Sequence, residues 1–212
     1  MSIINQISGF NRKRKWNIFN KLFKLTTQTT ILDVGFNEQE YSPWDNYLEK
    51  KYPYPNKITA LGIAGGSLFK KRYSQVNVVL YNGDRFPFFD KEFDICWSNA
   101  VLEHVGNREQ QLLFLQEVKR VARTAFITTP NKYFPIEIHT RTPLLHFLPQ
   151  RIFFSYLSLI GKGWATGSYM NLLSMKDLKS LLAAAGIERY QIIQNKLLFF
   201  TLDFVIIIKE DN

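Results

Sequence analysis

Short apolar runs alternate with segments of helical periodicity along most of this chain, and this alternation limits the folds open to it. Each run is shorter than a typical buried helix and ends in a turn signal, which is typical of a fully buried strand. The runs lie at 30–34, 57–63, 76–81, 93–98 and 125–129. Strands that alternate with helices form a parallel sheet covered on both faces, so the pattern predicts an α/β fold.

The carboxyl-terminal part of the chain predicts one helix followed by two strands. Ser174 and Asp177 have the spacing of a capping box, and they open a helix that stops at Gly186. Strands are predicted around 190–200 and 204–209, with only a short polar link between them. They therefore pair antiparallel, and 204–209 is expected as an antiparallel strand of the sheet.

Two earlier helix starts carry similar signals. Ser42 can cap a helix that has Pro43 at its first position and ends near Pro53. Asn107 and Gln110 form a further capping box, which opens a helix between the fourth and fifth strands. Both helices are expected to cover the predicted sheet.

Much of the positive charge lies at the amino terminus. The formal net charge is +9, and six Lys or Arg residues precede the first acidic residue, Asp33. Aromatic residues at helical spacing predict an amphipathic helix over 10–24, within a basic segment 1–28. This helix either packs against the main domain or, with 12–15 exposed, brings residues 12–24 to an anionic membrane surface.

The cysteine content and the apolar segments bear on the compartment. Cys96 is the only cysteine, so the chain has no internal disulfide and no cysteine zinc site. The amino terminus lacks the apolar segment of a signal peptide, and no stretch is long and apolar enough to span a bilayer. We expect a cytoplasmic protein without a metal, either free or peripheral to a membrane.

Polar residues and glycines follow the apolar runs at the ends where ligands bind. In parallel sheets the ligand site lies outside the carboxyl ends of the strands. Gly35 ends the first run and permits a close approach of a ligand to the backbone. Asp84 follows the third run and can accept a hydrogen bond from an exocyclic amine such as adenine N6. Both positions also fit a simple strand-ending turn.

The segment 131–171 is aromatic, rich in turns and too long for an ordinary connector. We predict that it forms a lid or substrate cap over the carboxyl ends of the fourth and fifth strands. Within it, His139 is either a proton acceptor for a hydroxyl or amine nucleophile or a loop anchor. A metal site of Glu137, His139 and His146 would lack a recognised ligand spacing. The expected acceptor pocket contains Phe147, Phe153, Phe154, Tyr156 and Trp164.

Several of these segments occur in an order that resembles a known family. They read Ile31-Leu32-Asp33-Val34-Gly35, Asn82-Gly83-Asp84-Arg85-Phe86-Pro87-Phe88, Phe93-Asp94-Ile95 and Val101-Leu102-Glu103-His104-Val105. With 117–123 and 128–131, this order is similar to the type 11 class of S-adenosylmethionine-dependent methyltransferases. The resemblance implies a single domain over 1–212 with a Rossmann-like, seven-stranded, mostly parallel sheet, helices on both faces and an antiparallel last strand.

The resemblance also implies S-adenosylmethionine as the cofactor, with its methionine tail at Asp33 and Gly35 and its adenine at Asp84 and Arg85. The predicted cofactor site is Asp33, Gly35, Phe36, Gly62, Ile63, Gly83, Asp84, Arg85, Ser98 and Asn99. Position near the mouth of the site adds the residues expected to face the methyl acceptor. These are Glu103, His104, Asn131, Glu137, His139 and Trp164.

Two departures from the family pattern concern the cofactor. Bulkier residues at 36–39 replace the further glycines that usually follow the first strand, and no acidic residue ends the second strand within 61–66. A missing ribose-binding carboxylate costs a charge-assisted hydrogen bond of about 1.5–3 kcal/mol. We therefore expect weak cofactor binding, with Glu38 as a substitute acid from the neighbouring loop.

Three functions are compatible with the sequence. The first is methyl transfer to a small-molecule or lipid-like acceptor. The second is a binding or scaffold protein that has kept the fold and lost the activity, which the two departures favour. The third is a nucleic-acid methyltransferase, but 98–101 lacks the Asn/Asp-Pro-Pro-aromatic motif expected for a base amine. Nucleic acid is therefore the least favoured partner.

Overall fold

The computed structural model describes residues 3–137, 140, 142–167 and 170–210, and a seven-stranded sheet is its central element. The strands of this sheet are β1 (Ile31–Val34), β2 (Ile58–Gly62), β3 (Asn77–Leu80), β4 (Phe93–Asn99), β5 (Ala122–Pro130), β8 (Tyr190–Leu197) and β9 (Phe200–Ile208). A separate two-stranded ribbon consists of β6 (Ile136–Glu137) and β7 (Thr142–Pro143).

The order of the strands across the main sheet is β3-β2-β1-β4-β5-β9-β8. β1 pairs in parallel with both β2 and β4, and β2 pairs in parallel with β3. β8 and β9 pair antiparallel from Tyr190 opposite Ile208 to Leu197 opposite Phe200. The predicted Rossmann-like sheet, mostly parallel and closed by an antiparallel strand pair, is therefore confirmed.

The part of the chain that the structure describes also contains α-helices. They are α1 (Ile3–Leu22), α2 (Tyr47–Lys51), α3 (Ser67–Arg72), α4 (Arg108–Val121), α5 (Gln150–Leu159) and α6 (Met175–Ala184). In the part of the chain that the structure describes, no helix is both long enough and apolar enough to cross a membrane.

The capping boxes predicted for two helices are present. At α6, the Ser174 hydroxyl accepts from the Asp177 backbone N–H, and the Asp177 carboxylate accepts from the Ser174 N–H. At α4, Asn107 and Gln110 exchange the same two bonds, at 3.1 and 2.9 Å. These local pairs satisfy amide groups that the first helical turn leaves without partners, so they fix where each helix begins.

The prediction that Ser42 caps α2 is wrong. The Asp45 carboxylate accepts from the backbone N–H groups of Tyr41 and Ser42, which closes a turn before the helix. Asn46 then takes a left-handed conformation with φ 48°, and α2 begins only at Tyr47. The strong turn residues are therefore used to reverse the chain rather than to open the helix.

The aromatic face of α1 belongs to the interior. Phe19 is completely buried, and its ring lies 4.9 Å from that of Trp97 and 5.4 Å from that of Phe126. The prediction that 12–15 is exposed is wrong, because Lys15 is only 5% accessible, Arg12 and Arg14 are half-buried, and Lys13 alone of the four is exposed. Of the two alternatives for this helix, packing against the domain is therefore the one observed.

The chain forms two compact units, and each is described separately below. The first, called here the amino-terminal unit, comprises residues up to Ser98 together with 120–126. The second, called the carboxyl-terminal unit, comprises 99–119 and 127–212. The predicted cofactor residues up to Ser98 lie in the first unit, and Asn99 and the predicted acceptor residues that the structure describes lie in the second.

Candidate active site

Glycines lie at the carboxyl ends of β1, β2 and β3 in the amino-terminal unit. Gly35, Gly62 and Gly83 stand at these three neighbouring ends, and Gly35 and Gly83 have φ values of 95° and 93°. Residues with a side chain rarely adopt this conformation. Gly35 and Gly83 are exposed, so the backbone is accessible at the ends of β1 and β3, where ligands bind in sheets of this kind, whereas Gly62 is buried.

Ile63, Gly83 and Asp84 form an exposed apolar and acidic surface at the ends of β2 and β3. The Ile63 side chain is 72% accessible, and a Cβ atom placed on Gly83 would lie 4.0 Å from its Cγ2 atom. The Asp84 carboxylate is also exposed and accepts a 2.8 Å hydrogen bond from the amide of Asn82. Arg85 beside it is exposed too. An aliphatic surface next to a carboxylate fits a flat, amine-bearing ring such as adenine.

The loop after β1 is filled by Phe36. Its ring lies 4.5 Å from the ring of Phe69 and covers Gly62. A Cβ atom on Gly62 would come within 2.6 Å of the Phe36 ring, so any side chain there would displace it. The bulky Phe36 in the loop and the absence of an acidic side chain at Gly62 are therefore linked, because the Phe36 ring occupies the space that a side chain at 62 would need.

The Glu38 carboxylate caps α3, a helix that the sequence did not predict. It accepts from the backbone N–H groups of Gly66, Leu68 and Phe69 and from the Ser67 hydroxyl. These bonds, with the one from Leu68 foremost, lower the pKa of Glu38. Its oxygens are thus engaged by the protein, which argues against Glu38 as the substitute ribose acid.

Asp33, the predicted methionine contact, is only 6% accessible and lies beside Glu49 of α2, which is equally buried. Burial raises the pKa of Asp33 well above its usual range, and the charge of Glu49 raises it further while Arg12 lowers it. Burial also raises the pKa of Glu49. Two buried carboxyl groups this close retain a proton that they would lose in water.

This pair makes a prediction for stability. The folded protein keeps a proton that the unfolded chain releases above the ordinary carboxyl pKa of about 4. The stabilisation is therefore complete below that value and is lost as the pH rises toward the raised pKa, by about 1.4 kcal/mol per pH unit for one proton. Asp33→Asn should flatten this decline in urea unfolding measured across pH. Glu188→Gln, at an exposed carboxylate, is the control, and an equal effect of both changes would contradict the assignment.

Two predicted contact residues at the end of β4 point into the protein. The Ser98 side chain is completely buried, and its hydroxyl has no hydrogen-bond partner among the described residues. The Asn99 side-chain oxygen accepts a 2.9 Å hydrogen bond from the Thr128 hydroxyl. A cofactor would therefore reach this strand end through its backbone rather than through the Ser98 hydroxyl.

The acceptor residues predicted after β4 are also largely structural. Glu103 was expected at the mouth of the site, but it is completely buried and accepts from the Thr129 hydroxyl at 2.9 Å. His104 lies beside it, with Nε2 4.0 Å from the Glu103 carboxylate. The Asn131 side chain donates to the Thr201 carbonyl and accepts from the Tyr133 N–H. These contacts hold the chain together and leave Glu103 out of reach of a solvent-borne substrate.

A cavity of about 500 Å³ lies within the carboxyl-terminal unit, in the segment 131–171. Apolar and aromatic side chains form most of its wall, with Glu137 and His146 among the polar members. Three of the five expected pocket aromatics, Phe147, Phe153 and Phe154, line it. Tyr156 and Trp164 are not among the lining residues, and Trp164 is 54% accessible. Volume and lining are typical of a site for a small organic molecule.

His146 is the titratable side chain that sequence reasoning missed as a candidate base. Its Nδ1 atom is buried and has no hydrogen-bond partner among the described residues. Burial lowers the pKa of His146, although the nearby Glu137 carboxylate opposes this. The imidazole is therefore neutral at neutral pH and can accept a proton. Glu137 is itself buried and accepts from the backbone and hydroxyl of Thr140.

His139 lies outside the described residues, so its assignment as proton acceptor stays a prediction. Within the described residues, no three His, Cys, Asp or Glu side chains come close enough to hold a metal ion.

Residues 32–125 match the type 11 family described as a methyltransferase domain. No curated protein matches the sequence. Among solved structures, an S-adenosylmethionine-dependent methyltransferase from Aquifex aeolicus shares 19% identity and a TM-score of 0.57, over 91% of this chain and 87% of its own. A second, from Methanosarcina mazei, shares 16% identity with a TM-score of 0.54, over 88% of this chain and 94% of its own. A third, from Thermotoga maritima, shares 13% identity with a TM-score of 0.60, over 97% of this chain and 92% of its own.

Proposed function

We propose that this chain, whose residues 32–125 match the type 11 methyltransferase domain family, transfers the methyl group of S-adenosylmethionine to a small-molecule or lipid-like acceptor. The cofactor supplies a methyl group on a sulfonium sulfur. The protein must align an acceptor atom with it and remove a proton from that atom. The observation that carries the proposal, besides the family match, is the exposed surface of Ile63, Gly83 and Asp84 at the strand ends.

The residues fit one end of the cofactor better than the other. Ile63 and Gly83 would hold the adenine ring, and the Asp84 carboxylate would accept from its amine. At the ribose and methionine end, Phe36 covers Gly62 and the Glu38 carboxylate is engaged by α3. This division supports weak binding, and it also favours the second candidate function, a binding or scaffold protein of the same fold.

The acceptor would occupy the cavity in the segment 131–171. Its aromatic wall favours an apolar or aromatic molecule, and polar members such as Glu137 and His146 would orient a hydroxyl or amine group. His139 is the proton acceptor proposed from the sequence. His146 is the alternative, because it lines the cavity and its Nδ1 makes no hydrogen bond to the described residues. In either case the proton leaves the acceptor's oxygen or nitrogen and binds to a neutral imidazole.

Calorimetric titration with S-adenosylmethionine tests the cofactor assignment. We expect binding in the wild type and an approximately tenfold rise of Kd in Asp84→Ala, because the adenine amine loses a charged hydrogen-bond partner. Glu188→Ala, which removes an exposed carboxylate elsewhere, should leave Kd unchanged. An unchanged Kd in Asp84→Ala would remove this residue from the site. Absence of binding in the wild type would favour the scaffold function.

A further inference from the structure

An unusually apolar surface lies on the segment 131–171. We call it the insertion surface, and it consists of seven large apolar side chains that are each at least one third accessible. They are Leu144, Phe147, Leu148, Ile152, Leu159, Ile160 and Trp164. Single exposed apolar residues are common on proteins, but so many within about twenty residues mark a contact with something else.

The helix α5 carries part of this surface, because large apolar side chains occur on its exposed face as well as on its buried face. Phe153 and Leu157 are buried in a cluster with Ala165. Ile152 and Leu159, seven residues apart and so on one stripe of the helix, are exposed instead. A surface helix of a soluble domain normally has a polar outer face. The outer face of α5 therefore combines the polar side chains of Ser155 and Ser158, which are also exposed, with two large apolar ones.

Charge indicates which partner fits this surface. The sequence contains no acidic residue from 138 to 176, whereas Arg141, Arg151, Lys162 and Lys176 lie in the same stretch. Arg151 is exposed at the start of α5. Exposed aliphatic side chains and a tryptophan beside cations, without acids, are the composition of segments that bind anionic lipid surfaces. A protein partner would not require this exclusion of acidic residues.

The insertion surface also continues into the cavity. Phe147 and Leu148 line the cavity and are 49% and 42% accessible, so they belong to both. A molecule held at this surface would therefore meet the cavity without crossing a polar rim at these two residues. This continuity connects the surface with the acceptor.

We infer that the insertion surface docks on an anionic lipid bilayer and that the cavity takes its acceptor from the lipid phase. The second half of this inference rests on the proposed function and selects the lipid-like class of acceptor. The docking itself does not rest on the proposed function. This inference places the membrane contact at the insertion surface instead of at residues 12–24, where the apolar face of α1 is buried.

Vesicle sedimentation of the full chain tests the docking. The probes are vesicles of phosphatidylcholine alone and of phosphatidylcholine and phosphatidylglycerol in equal parts. We expect wild-type protein to bind the anionic vesicles more tightly. Leu159→Ser should weaken this binding about tenfold and Arg151→Gln about fivefold, the latter only on anionic vesicles. Cofactor is omitted, so loss of the proposed methyl transfer would not alter the result.

A matched control comes from the tip of the β8–β9 hairpin. Leu198 is 83% accessible and Leu159 is 86% accessible, so Leu198→Ser removes the same side chain from an equally exposed position. It should leave vesicle binding unchanged. Equal losses in both variants, or no binding of the wild type to either vesicle, would overturn the inference. So would a dimer in light scattering that Leu159→Ser abolishes, since a second copy would then be the partner.

Discussion

Phe19→Ala is expected to lower the free energy of unfolding by about 3–5 kcal/mol, the usual loss for a buried aromatic residue. The Phe19 side chain is completely buried, and its ring contacts four others, those of Trp16, Phe23, Trp97 and Phe126, at 4.9–5.5 Å. Removal of the ring leaves a cavity that surrounding rigid rings cannot close. Denaturant unfolding at equilibrium measures the effect.

The matched control lies on the same helix. Phe10 is 60% accessible, so Phe10→Ala removes the same ring from α1 with an expected change within about 0.5 kcal/mol. The pair separates burial from any change of helix propensity, because both variants exchange phenylalanine for alanine in α1. Similar losses in both would mean that α1 is stabilised by something other than the packing of Phe19.

The largest kinetic effect is expected at the cavity. His146→Gln should lower methyl transfer roughly 10²-fold, because the acceptor loses its proton acceptor. Glutamine is of similar size, so the free energy of unfolding should change by less than about 1 kcal/mol. The Kd of S-adenosylmethionine should not change. The measurement uses cofactor with a tritiated methyl group and a panel of phenols, amines and extracted lipids as acceptors.

His139→Gln in the same assay separates the two histidines. A comparable loss of rate there, with His146→Gln unaffected, would support the assignment made from the sequence. A lower melting temperature without a change of rate per folded molecule would identify His139 as a loop anchor. If neither variant loses activity, proton transfer by the imidazoles of His139 and His146 is excluded from the reaction.

Local signals made the regular elements predictable. The capping boxes at Asn107 and Ser174 join residues three apart, so the sequence alone carries both partners. The short link between β8 and β9 likewise leaves the antiparallel hairpin as the simple solution. In each case the interaction that defines the element lies within the element itself.

Features that depend on distant residues were missed. α3 has only six residues, and its cap, Glu38, comes from a loop about thirty residues earlier. No local pattern reports such a partner. The position of Glu103 shows the same limit, since a Glu-His pair after a strand is compatible with a substrate contact as well as with a buried bond to Thr129. Burial decides between them, and burial is a property of the folded chain.

The packing of Phe36 on Gly62 has a consequence for how this site can be altered. An acidic side chain at 62 would collide with the ring, so that substitution alone costs stability before its carboxylate can help to bind a ribose. Shortening Phe36 alone removes the cover from Gly62 and the contact with Phe69, and still supplies no acid. Either substitution alone is thus unfavourable, and only the two together are expected to raise the affinity for the cofactor. We therefore expect the effects of substitutions at Phe36 and Gly62 on cofactor binding and stability to be non-additive, as is usual for residues in contact.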